Sequence, residues 1–196
     1  MSQSNGEEDP RPVRQEAIIT LPLDWWVIPL SDDRARTRSI DALLKREAPK
    51  GDINAQLRAD IRKQLQDVTA GAKQAGGRFY AMSLVRLEQL PLVISVVVFR
   101  ETRTMGAVKV RLQVVDPEAT TAEGPLGLVY RSVKVEAGPD ELGARDTKQV
   151  VAEYWLDPKD GLGVYHAVFT TPHLALQEQM LILFDAMIES ISILSD

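Results

Sequence analysis

From Val150 to Ile191 the chain reads strand, turn, strand, helix, with a turn or capping residue at nearly every junction. Val150-Val151-Ala152-Glu153-Tyr154-Trp155-Leu156 has the β-branched and aromatic content of a strand. Asp157-Pro158-Lys159-Asp160-Gly161 supplies the proline and glycine of a turn, and Gly163 to Thr170 forms the returning strand. Thr171 before Pro172 predicts a helix N-cap with proline in the first helical position. Leu176, Met180, Leu183, Phe184, Met187, Ile188 and Ile191 then recur at helical spacing as one apolar stripe. Burying such a stripe is worth on the order of 10 kcal/mol gross, before ordering entropy is subtracted. A hairpin followed by a helix of this kind requires a layered α+β core.

The upstream sequence supplies further elements. Glu16 to Leu21 is a candidate edge strand, and Leu23 to Leu30 a second extended piece that Pro29 ends or diverts. Ser31-Asp32-Asp33 opens a helix with acidic groups where its dipole favours them, and Ile40, Leu43 and Leu44 give it an apolar face. Ala48-Pro49-Lys50-Gly51 ends that helix. Asp52 is expected to cap the next, whose stripe runs Ile53, Leu57, Ile61, Leu65, Val68, Ala72 until Gly76-Gly77. Phe79 to Arg86, Leu92 to Arg100 and Val108 to Val115 read as strands. The last alternates Val108, Val110, Leu112 and Val114 against Lys109, Arg111 and Gln113, although a helix over Met105 to Val115 also fits. Asp116 to Gly124 is a turn-rich loop, Leu128 to Glu136 a strand, and Ala137 to Asp146 another loop. Met1 to Gln15 is polar, acidic and proline-bearing, the composition of a disordered tail. Residues 16–196 are then expected to form a single α+β domain.

Composition removes several function classes. The chain has no cysteine, which excludes disulfides, thiolate metal sites and cysteine nucleophiles, and fits a cytoplasmic location. With 28 acidic against 23 basic side chains the net charge is -5, unlike the basic surplus of nucleic-acid binding. No segment approaches the roughly 20 apolar residues of a membrane helix, and the start of the chain lacks the basic and apolar regions of a signal peptide.

Candidate reactive groups are sparse. Of the two histidines, His166 shares a strand face with Val164 and Val168 and reads as a satisfied sheet histidine. His173 falls in a first helical turn, where a cation is disfavoured. Neither has a partner at metal-ligand spacing. Asp157 and Asp160 flank a turn without an EF-hand pattern, and no nucleophile elbow or phosphate loop occurs. No catalytic residue, cofactor or metal ligand is assigned. Trp25 and Trp26 point to opposite faces of a strand, so either helices cover both faces or one indole anchors a partner. Arg34, Arg36 and Arg38, with Lys45 and Arg46, could meet an acidic partner. The residues named for partner contact are Trp25, Trp26, Arg34 and Arg38.

Three motifs carry a resemblance: Glu153-Tyr154-Trp155-Leu156, Ala167-Val168-Phe169-Thr170-Thr171-Pro172, and Leu183-Phe184-Asp185-Ala186-Met187. This order resembles the end of Mog1/PsbP-like proteins. It is closest in look to uncharacterised actinobacterial proteins of that type, which share Tyr-Trp-Leu, Phe-x-Thr-Pro and Leu-Phe-Asp-Ala. The resemblance covers the C-terminal part only. It implies a bent antiparallel sheet with helices on both faces, an α/β/α sandwich. Members of that broad fold are mostly non-enzymatic: they bind small GTPases, organise photosystem subunits or serve as lipoproteins. This chain lacks the lipobox cysteine of the last group.

These features together predict a cytoplasmic, non-enzymatic protein-interaction module: an adaptor, chaperone or accessory factor with a protein partner and no nucleic acid or membrane. A deep polar cleft holding converging carboxylates, His166 and a basic group would contradict it. The alternative is a small-ligand-binding domain or degenerate enzyme, with a pocket between the sheet and the helix of residues 53–75.

Overall fold

The computed structural model describes residues 15–47, 54–87, 90–138 and 147–195. The expected tail up to residue 14, the cap at Asp52 and most of the loop before residue 147 lie outside the described residues. The elements in chain order are β1 (Gln15–Ile18), β2 (Trp25–Pro29), α1 (Asp33–Glu47), α2 (Ala55–Gln74), β3 (Gly77–Leu87) and β4 (Leu90–Glu101). They continue with α3 (Met105–Val115), β5 (Thr120–Gly124), β6 (Gly127–Ala137), β7 (Lys148–Leu156), β8 (Val164–Thr171), α4 (Gln177–Glu189) and β9 (Ser192–Ser195). The architecture is α+β, built on a seven-stranded antiparallel sheet ordered β2-β3-β4-β8-β7-β6-β5.

Directly paired residues share a sheet face, so the register sorts the core. Trp25, Ala81, Val96, Phe169, Tyr154 and Val129 lie on one face and pack with Met180, Phe184, Met187 and Ile188 of α4. Phe169 stacks on Phe184 at 4.5 Å and meets the Tyr154 ring edge-on at 5.5 Å. Of the motif residues behind the resemblance, Tyr154, Leu156, Ala167, Phe169, Phe184 and Met187 are core residues of this layer. On the opposite face, Ile28, Tyr80 and Met82 pack with Ile40, Leu43 and Leu44 of α1, against which Ile61, Leu65, Val68 and Ala72 of α2 also rest. Further along that face Tyr130, Trp155 and Val164 are covered by Val108 and Leu112 of α3. Helices thus cover both faces.

Several expectations are corrected. Residues 105–115, for which strand and helix both fit the sequence, form a helix: Thr104 caps it by accepting the Ala107 amide at 3.3 Å, and Val108 and Leu112 turn one stripe inward. The valine preference for strands yields here to the gain from covering Tyr130 and Trp155. Asn54 caps α2 through the Leu57 amide at 2.7 Å. The stretch read as a loop before Gly124 contains the edge strand β5. Gln15, assigned to the tail, already pairs with Ser195 in a separate two-stranded ribbon whose second strand, β9, was not expected. Pro172 does not start α4. A single 3-10 turn, Leu174–Leu176, intervenes and α4 begins at Gln177. Thr171 is still a local cap, accepting the His173 amide at 3.3 Å.

The β7–β8 turn is fixed twice. Asp157 and Asp160 accept the amides of Lys159 and Leu162 at 2.8 and 2.9 Å, turn chemistry as expected. Asp160 also pairs with Arg100 of β4 in a largely buried contact, and that guanidinium lies 4.4 Å over the Tyr165 ring.

Candidate functional site

Three features stand out on this scaffold. The first is a cluster on the α3 face, where β4, β8 and β7 run side by side. His166 of β8 places Nδ1 2.7 Å from Glu101 Oε1 and Nε2 2.9 Å from Glu153 Oε2. Its ring stacks on Trp155 at 4.6 Å, nearly parallel at 11°. Each ring nitrogen thus faces one carboxylate oxygen. The His166 hydrogen bond holds the Glu153 carboxyl below its usual 4.5, helped by the charges of Lys134 and Arg111 and opposed by burial. Arg103 Nε lies 3.5 Å from Glu101 and Lys134 Nζ lies 3.6 Å from Glu153.

This cluster supplies the converging carboxylates, histidine and basic groups that would speak for catalysis, but in a closed form. The His166, Glu101 and Glu153 side chains are only 11%, 22% and 19% exposed. Both ring nitrogens are engaged by carboxylates. Among the described residues no group of histidine, aspartate or glutamate side chains has metal-holding geometry. His166 lies on the Val164–Val168 face, as alternation predicts, while its partners, 65 and 13 residues away, are not adjacent in the sequence. The hairpin register held the missing signal for one of them. With Trp155 opposite His166, alternation puts Glu153 on the same face.

The second feature is a cavity of about 230 Å³ on the α4 side, between β5, β6, β7 and the end of α4. Asp185 accepts the Tyr154 hydroxyl at 2.8 Å and Arg131 Nη1 at 2.7 Å. Burial and the Asp185 charge raise the Tyr154 phenol strongly, so it stays a donor. Val129, Ala122 and Ile188 supply apolar lining. This cavity lies on the sheet face opposite the helix of residues 53–75, where a ligand pocket had been expected.

The third feature is the outer surface of α3. Val110 and Val114 are 64% and 78% exposed, and with exposed Ala107 they form a stripe diametrically opposed to buried Val108 and Leu112. Exposed Lys109 and Arg111 flank the stripe on its two sides.

The residues expected to meet a partner are dispersed. Trp25 is buried on the α4 face. Trp26, on the other face, donates its indole N–H to Ser39 Oγ at 2.8 Å and lies 4.6 Å beneath the Arg46 guanidinium. Arg34 and Arg38 stay exposed on α1 beside Asp33 and Thr37. Trp25 and the α1 arginines thus occupy opposite sides of the sheet and form no common surface.

The fold and these sites define an α+β protein with an open antiparallel sheet helix-covered on both faces. Among the described residues no helix is long and apolar enough to cross a membrane. Comparison with protein-family models, curated proteins and solved structures returns no match.

Proposed function

We propose that the chain is a non-enzymatic protein-interaction module, an adaptor, chaperone or accessory factor, that docks its partner on the outer face of α3. One observation carries this reading. A helix that has already buried Val108 and Leu112 keeps a second apolar stripe, Ala107, Val110 and Val114, in water. A surface helix normally pairs one apolar stripe with a polar outer face, and a contiguous apolar patch rimmed by charge marks an interaction site. The flanking Lys109 and Arg111 favour a partner with acidic residues beside an apolar ridge.

The non-enzymatic part of the reading is supported by the saturation of His166 between Glu101 and Glu153. The absence of cysteine supports a reducing location, the cytoplasm. The Mog1/PsbP-like resemblance fits the same reading, because its motif residues Tyr154, Phe169 and Phe184 serve packing. The test is capture of partners from the native cell by tagged wild-type protein and by the Val110→Asp/Val114→Asp variant. Partners recovered by the wild type and lost by a variant of unchanged melting temperature support α3 docking. Identical recovery by both proteins contradicts it.

A further inference from the structure

The cavity between β5, β6, β7 and the end of α4 has groups of both charges on one wall above an apolar floor. Arg131 of β6 and Tyr154 of β7 are paired across the strands and so share the α4-side face. Asp185 of α4 meets both, accepting the Tyr154 hydroxyl through Oδ1 and Arg131 Nη1 through Oδ2. Ile188 and Glu189 follow Asp185 by three and four residues, which puts all three on one side of the helix, and all three line the cavity. Val129 and Ile188, both almost fully buried, form the floor. Glu123 is paired with Leu128 on the other sheet face and takes no part in the wall. The wall is held in place but not saturated. Tyr154 is almost fully buried, and burial together with its bond to Asp185 raises the phenol, so it remains a donor that fixes that carboxylate. Arg131 commits one nitrogen to Asp185 among the described residues while its side chain stays 31% exposed, which leaves further N–H groups for solvent or a ligand. Glu189 is exposed and makes no ion pair among the described residues.

We propose that this cavity binds a free α-amino acid with an apolar side chain. Its carboxylate pairs with the Arg131 guanidinium, its ammonium with Asp185 and Glu189, and its side chain covers Val129 and Ile188. The charge pattern selects the zwitterion: a lone anion would meet Asp185 and Glu189, and a lone cation would meet Arg131, whereas a molecule with both charges meets each with its opposite. Size points the same way. At about 230 Å³ the cavity is smaller than the roughly 300–1,000 Å³ of pockets for drug-sized ligands. The apolar floor favours a hydrocarbon side chain, because covering it removes apolar surface from water. This site lies on the sheet face opposite α3 and is tested independently of docking there.

The test is isothermal titration calorimetry on the full chain with three probes: L-leucine, L-leucinamide, which lacks the carboxylate, and 4-methylpentanoate, which lacks the ammonium. L-Leucine is expected to bind about ten-fold more tightly than either of the others. Arg131→Gln is expected to remove the preference for leucine over leucinamide. Glu189→Gln, at the exposed rim of the cavity, is expected to weaken leucine about three-fold without weakening 4-methylpentanoate. Leucine is also expected to shift the methyl NMR signals of Val129 and Ile188. No leucine binding, or methyl shifts confined to other residues, overturns the proposal. Leucinamide binding as tightly as leucine also overturns it and assigns the wall to an ammonium alone; 4-methylpentanoate binding as tightly assigns it to a carboxylate alone. Should Arg131→Gln fail to fold, the three probes on the wild type and on Glu189→Gln decide the matter.

Discussion

At the scale of single residues, the Glu101–His166–Glu153 cluster is electrostatic and the Gly163 turn is steric. The Glu153 carboxyl titrates lower in the folded chain than its ordinary 4.5, so its contribution is complete above that value and is lost as pH falls through the folded pKa. Wild-type protein should therefore be more stable than Glu153→Gln by about 1–2 kcal/mol near neutrality, with the gap in thermal melts closing on acidification below 4.5. A gap independent of pH would contradict the pairing. Gly163 has φ +114°, and a Cβ there would sit 1.9 Å from the Glu101 carbonyl oxygen. Gly163→Ala is expected to cost roughly 3 kcal/mol or more in chemical denaturation, because a left-handed backbone and a backbone clash coincide. The glycine was legible in the sequence as a turn residue; the clash partner was not, since nothing local to residue 163 announces the end of β4. The same limit applies to Glu101, whose distance along the chain hides its contact with His166.

Individual elements show where sequence pattern and packing diverge. The strands around the β7–β8 hairpin, the apolar faces of α1 and α2, and the Leu176–Ile191 stripe could be read from periodicity and turn chemistry. Residues 105–115 could not be decided, because a helix apolar on two opposed sides displays the same every-second-residue valine pattern as a half-buried strand. Val108 and Leu112 turn inward one helical turn apart, and Val110 and Val114 turn outward in the same way. Leu112→Ala should therefore cost about 2–4 kcal/mol. Val110→Ser with Val114→Ser should stay within about 1 kcal/mol of wild type. If α3 were a strand with one wet face, the four positions would not divide in this way. The late start of α4 has a similar origin: Thr171-Pro172 carries the chemistry of a helix start, yet a 3-10 turn comes first.

Across the molecule, three hydrophobic clusters line two sheet faces, and each touches a different tryptophan: Trp25 on the α4 side, Trp26 under α1, and Trp155 under α3. If these clusters unfold as one cooperative unit, tryptophan fluorescence and far-ultraviolet circular dichroism should give coincident urea transitions. Phe184→Ala should shift both together by about 3–5 kcal/mol; separated transitions would mean that the clusters melt independently. The α+β class could be anticipated from the strand and helix patterns, whereas helix on both faces was one of two readings of the oppositely directed tryptophans. The strand order, with β5 at its end, could not be anticipated, because it depends on contacts between distant segments. The claim that matters most at this scale is that the outer stripe of α3 is a docking surface. In-cell photo-crosslinking from a photoreactive residue at position 114, with one at exposed Lys63 on α2 as control, tests it most directly. The account predicts a discrete protein adduct from position 114 that is absent from position 63; no adduct at 114, or the same adducts from both positions, would contradict it.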